Sequence, residues 1–135
     1  MEPQIVAKPA FTVVGMLLHT KPMSPEIPAL WDQFGPRMGE AQQVAEPGVS
    51  YGVMGRFNQE DGKFDYMAGE AVLAATDLPA GMTEWDVPAS TYAVFTTTLP
   101  ALNATFGHVY NTWLPTSGYQ PAAAPAFERY GATFD

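Results

Sequence analysis

The chain has 135 residues and not one cysteine. That absence excludes a disulfide framework, a thiolate zinc site and a cysteine nucleophile. It fits a reducing compartment without demanding one. Basic side chains are scarce. There are 6, at Lys8, Lys21, Arg37, Arg56, Lys63 and Arg129, against 14 acids, for a net charge of -8. They are too scattered to build a basic patch, so direct nucleic-acid binding is not expected. An acidic field favours cationic ligands or basic partner surfaces instead. Long apolar runs are missing as well. The longest, FTVVGMLL, falls far short of the about 20 residues that cross a bilayer. The N-terminus also lacks the basic-then-apolar order of a signal peptide. The expectation is a soluble, cytoplasmic protein with no membrane partner.

Common catalytic signatures are absent too. The sequence has no P-loop and no G-x-G-x-x-G, and PTSGY has no G-x-S-x-G context. EDGK reads as a hairpin turn, since the D-x-D-x-D-G pattern of a calcium loop is lacking. His19 and His108 are far apart in sequence, so neither a metal site nor a cofactor is expected, and His108 reads as a surface residue.

What is present is an apolar, aromatic chain, 47% hydrophobic and 15% charged. A chain of this length is one domain, residues 1–135, able to bury a core unaided. FTVVGMLLH (11–19) reads as a buried strand. Ser24 then caps a helix carrying Leu30, Trp31, Phe34 and Met38 on one face, which Gly35-Pro36 should break or kink. VSYGVMGRF and FDYMAGEAVLA are strands joined by a turn at Asp61-Gly62. EWDVPASTYAVFTTT is one long strand or two pieces, with Pro88 requiring an edge or a bulge. LPALNATFGHVYNTWLPTSG is a helix with Phe106, Tyr110 and Trp113 on one face, and PAFERYG is a final strand. The fold class is therefore α+β. Two similar units are expected, strand–helix–strand–strand and then strand–helix–strand, so that one strand is wanting in the second.

Alternation along AFERY puts Ala126, Glu128 and Tyr130 on one face, and Phe127 and Arg129 on the other. A carboxylate enclosed among rings is costly to desolvate unless a cation or hydrogen-bond donors meet it. It also suits a cationic guest, since ring faces attract cations. The plain alternative is that Glu128 pairs with an arginine or with a tyrosine hydroxyl. The rings number six tyrosines and three tryptophans among the aromatics. For any one of them, core packing is the ordinary role, and only convergence on Glu128 would make it a ligand wall.

DYMAGEAV, TYAVF, NTWLPTSGYQ and PAFERYG, in this order and spacing, resemble the GyrI-like small-molecule-binding domain. This is the effector-binding domain of several AraC-type and MerR-type multidrug regulators, and it also occurs alone. The resemblance runs from about Phe11 to Phe134. It implies two pseudo-symmetric units forming a curved antiparallel sheet with two helices around a central ligand cleft. It also implies a glutamate at the floor of an aromatic pocket that neutralises lipophilic cations. By its place in P-x-F-E-x-Y that residue is Glu128. The candidate walls are Tyr51 and Tyr66 first, then Phe106, Tyr110 and Trp113, with Trp31 and Trp85 as outer candidates.

Two departures from the family pattern give two further expectations. No helix-turn-helix segment accompanies the domain, so a stand-alone binding module is expected in place of a DNA-binding regulator. The usual strand after FERYG is lacking, so an edge is left for the N-terminal segment, a homodimer partner or nothing. The leading functional expectation is binding of lipophilic, cationic small molecules. A second is hydrolysis of small electrophilic toxins, with Glu128 as the catalytic residue beside Tyr130, Tyr110 or Tyr51. A third is a gyrase-inhibitor-like protein-binding module.

Overall fold

A computed structural model describes residues 2–120 and 124–131. The chain divides into two compact units, one of Ala10–Pro88 with Ala124–Asp135, the other of Met1–Pro9 with Ala89–Ala123. The elements run β1 (Gln4–Lys8), β2 (Phe11–Thr20), α1 (Glu26–Phe34), β3 (Ser50–Asn58), β4 (Lys63–Val72), β5 (Thr83–Val87), β6 (Ser90–Val94), α2 (Leu102–His108), α3 (Leu114–Ser117) and β7 (Ala126–Tyr130). Short 3-10 turns follow α1 and precede α2, and a π turn, Val109–Trp113, joins α2 to α3.

The first unit is a five-stranded sheet in the order β5-β2-β4-β3-β7, antiparallel throughout. β2, β4 and β3 are its interior strands, and the buried stretches 13–15 of β2 and 66–72 of β4 are apolar or small apart from Glu70, as strands covered on both faces require. One face carries Val13, Tyr51, Val53, Met67, Trp85 and Val87, with Phe11 and Phe127 packed against them. The other carries Tyr66 and Ala68, covered by Leu30 and Phe34 of α1. The helix begins beside Ser24, whose Oγ accepts the Glu26 backbone N–H at 3.1 Å. It stops at Phe34 because Pro36 cannot continue it, and a 3-10 turn Gly35–Arg37 follows. Met38 therefore lies beyond the break and is exposed, off the apolar face the spacing assigned to it. The β3–β4 hairpin turns at Gly62 (φ +70°), as Asp61-Gly62 implied.

The second unit pairs β1 with β6, Gln4 opposite Val94 through Lys8 opposite Ser90. The long apolar segment 84–98 is thus two strand pieces that part at Pro88: β5 joins the five-stranded sheet and β6 pairs elsewhere. Proline lacks the amide that a continuous ladder would need there. The N-terminal segment, offered above as cover for the edge at FERYG, is strand β1 on β6. In the helical stretch, Phe106 and Tyr110 stack at 6.4 Å as expected. The π turn takes more residues per turn than an α-helix. Trp113 packs edge-on with Phe95 and stacks with Tyr119. His108 is half-buried, less exposed than a surface histidine. Gly118 at φ +81° ends the stretch in the left-handed conformation that glycine permits. Among the described residues no helix is long and apolar enough to cross a membrane.

Candidate functional site

β7 lies at one side of the five-stranded sheet, with Glu128 opposite Gly52 of β3 and Arg129 opposite Tyr51. The register continues to β4, where Gly52 faces Ala68 and Met54 faces Tyr66. Strand alternation then places Glu128, Gly52, Tyr66 and Tyr130 on the face that α1 covers. Glu128 is half-buried there. Its Oε1 accepts the Tyr66 hydroxyl at 2.9 Å and the Tyr130 hydroxyl at 2.8 Å. The Trp31 indole N–H donates to the Tyr66 oxygen at 2.9 Å, and its ring meets Tyr130 edge-on at 5.3 Å. Thus α1, β4 and β7 each supply one side chain to a chain of donors ending on one carboxylate oxygen.

Gly52 makes this convergence possible. A Cβ at that position would lie 2.7 Å from Glu128 Oε1 and closer still to the Tyr66 hydroxyl. Only a glycine leaves β3 flat enough for the two side chains to meet across it. Both phenols are held protonated. Burial first, and then the Glu128 charge, push the Tyr66 and Tyr130 hydroxyls well above the usual tyrosine range. They therefore remain donors.

Two neutral donors solvate Oε1, but they leave the negative charge in place. Among the described residues no arginine, lysine or histidine forms an ion pair with Glu128, and Oε2 accepts no hydrogen bond. The adjacent Arg129 points the other way, to Glu46 at 2.9 Å. A carboxylate met by hydroxyls and rings, with one oxygen unclaimed among the described residues, can accept a cationic group.

Of the candidate walls, Tyr66 and Trp31 meet the Glu128 cluster directly. Tyr51 does not. It lies on the opposite face, fully buried against Phe11 and Phe127, and its hydroxyl bonds Glu46. Burial and that carboxylate push its phenol up to about 12. Trp85 also lies on that face, with the Arg56 guanidinium 4.0 Å from its ring centre. Phe106, Tyr110 and Trp113 belong to the other unit. Tyr130 and Gly52 were not among the candidate ligand residues. Tyr130 had a signal, its i+2 spacing from Glu128. Gly52 had none, because its role depends on which residue of β7 lies opposite. Among the described residues no group of three or more potential metal ligands gathers.

Comparison with known proteins agrees with this architecture. Residues 1–133 match the family model described as the GyrI-like small molecule binding domain. The transcriptional regulator BrlR of Pseudomonas aeruginosa is 38% identical over 136 residues, covering 99% of this chain and 50% of that protein. The chain thus spans about half the length of that relative. The structure of SAV2435 bound to tetraphenylphosphonium has a TM-score of 0.75 at 20% identity, covering 97% of this chain and 84% of that one. An integron cassette protein from the mobile metagenome of Vibrio cholerae gives 0.72 at 21%, covering 98% and 90%. At such identities these two structures speak for the fold alone.

Proposed function

The chain belongs to the GyrI-like small-molecule-binding family, and on that premise we propose that its ligands are lipophilic cations, bound for drug or effector sensing or for sequestration. Glu128 is their counter-charge, and Trp31, Tyr66 and Tyr130 are the rings beside it. The observation that carries this reading is a half-buried carboxylate whose partners among the described residues are two neutral hydroxyls. Such a group has been partly stripped of water and not neutralised, so a desolvated cation gains more from it than from an exposed acid. Ring faces add attraction for the same charge. Bulk selectivity then comes from shape and apolar area, with few fixed hydrogen bonds, which favours a broad ligand range.

SAV2435, which shares the fold, is solved with tetraphenylphosphonium, and that cation is therefore the natural probe. BrlR supports a sensing role, because this domain corresponds to half of a transcriptional regulator. Titration of tryptophan fluorescence with tetraphenylphosphonium tests the reading. Saturable quenching is expected in the wild type, weakened by about tenfold or more in Glu128→Gln. Equal affinity in the two proteins would remove Glu128 from the site.

A further inference from the structure

We propose that the unit formed by β1, β6 and the helical stretch has a binding groove of its own, for flat aromatic cations, between Glu2 and the parallel rings of Trp113 and Tyr119. The groove is open to solvent and has a volume of about 390 Å³, comparable in size to small-molecule sites. Pro3 and Ile5 form its apolar side, and Ile5 is 46% exposed. Among the described residues its lining holds one carboxylate, Glu2, and no basic side chain.

The rings are held in place. Phe95 packs edge-on against Trp113 at 5.2 Å, at an interplanar angle of 82°. Gly118 then turns the chain back, so that Tyr119 lies against the indole at 5.9 Å and 17°. The Tyr119 backbone N–H donates to Ser117 Oγ at 3.0 Å, and that hydroxyl donates to the Leu114 carbonyl at 2.9 Å. Thr116 likewise spends its hydroxyl on the Thr112 and Trp113 carbonyls. The Ser117 and Thr116 hydroxyls are therefore committed to backbone, and recognition rests mainly on ring face and charge.

Ring orientation selects the shape of guest. A compact ammonium group is gripped best by rings set at steep angles around it. Stacked rings instead offer an outer face to a flat guest, and Tyr119, 54% exposed, keeps part of its ring open. A planar cation can extend the stack while Glu2 balances its charge.

The test uses 1-methylquinolinium, its neutral isostere 1-methylnaphthalene, and tetramethylammonium. The indole N–H signals are followed by NMR in the full chain. The expected result is saturable binding of 1-methylquinolinium that shifts the Trp113 signal. Tyr119→Ala and Glu2→Gln should each weaken it by about fivefold or more. Glu2→Gln should leave 1-methylnaphthalene unaffected, and tetramethylammonium should bind more weakly than the planar cation. Both substitutions are at exposed side chains, and circular dichroism verifies that the variants fold. No saturable binding would overturn the proposal, as would binding indifferent to both variants or tighter binding of tetramethylammonium. Binding lost in Glu128→Gln alone would also overturn it, by placing the guest at the carboxylate of the five-stranded sheet. Glu2 and Glu128 belong to different units, so this groove and the Glu128 site can fail independently.

Discussion

Gly52 decides whether Glu128 and Tyr66 can meet. A methyl group there collides with both oxygens of their hydrogen bond, so Gly52→Ala must push them apart. The expected cost is about 1–3 kcal/mol of stability, read from urea unfolding, together with weaker binding of tetraphenylphosphonium. A variant as stable as the wild type would mean that the cluster tolerates separation. Tyr66→Phe isolates a different contact. It removes one donor from Glu128 and strands the Trp31 indole N–H, and Tyr66 itself is only 3% exposed. A loss of about 1–3 kcal/mol is expected in the same measurement. At this scale the sequence was partly legible. Alternation along AFERY joined Glu128 to Tyr130 without help from the structure. It could not choose between Tyr51 and Gly52 as the neighbour of Glu128, because a register shift of one residue exchanges the faces of a strand. The resemblance made Tyr51 a first candidate for the pocket wall, yet the ladder places Gly52 opposite the carboxylate.

Among the elements, the turn of the β3–β4 hairpin is tied to the end of β2 by a small charge cluster. His19 of β2 meets Asp65 of β4 at 2.9 Å and Asp61 of the turn at 3.3 Å, while Arg56 of β3 also reaches Asp65, at 3.2 Å. Hydrogen bonds to Asp65 and then Asp61 raise the histidine above its usual value. The folded state therefore favours the imidazolium. That contribution is fully present below the unfolded value of about 6.5 and is lost as pH rises through the higher folded value. Thermal melts should show a wild-type advantage over His19→Ala at about pH 5.5 that shrinks by about pH 8. An advantage independent of pH would show that the ring acts by packing. The strands and helices were mostly readable, because the apolar patterns and turn residues are local. The pairing of β1 with β6 was not, since it joins residues far apart in sequence and no local pattern names a partner. The π turn was equally hidden, as nothing in VYNTW departs from an ordinary helical run.

Over the whole molecule, several tyrosines hold their protons more tightly than a free phenol. Tyr51, Tyr66, Tyr92 and Tyr130 are all raised, by burial first. The folded protein thus keeps protons that the unfolded chain loses at about pH 10, and stability must fall as pH rises beyond that point. Alkaline titration of the tyrosinate absorbance should show fewer ionised tyrosines in the native protein than in urea at the same pH. Identical curves would contradict the burial of these phenols. The net charge of -8 gives the molecule a general attraction for cations. Its long-range part is screened over about 8–10 Å at moderate salt, whereas a partly desolvated contact is screened less. Charge must therefore be separated from shape at one residue, Glu128. Calorimetry at physiological salt would compare tetraphenylphosphonium with neutral triphenylphosphine oxide in the wild type and in Glu128→Gln. The substitution is expected to cost the cation about tenfold or more in affinity and to leave the neutral guest nearly unchanged. Equal losses for both guests, or none for either, would contradict Glu128 as the counter-charge.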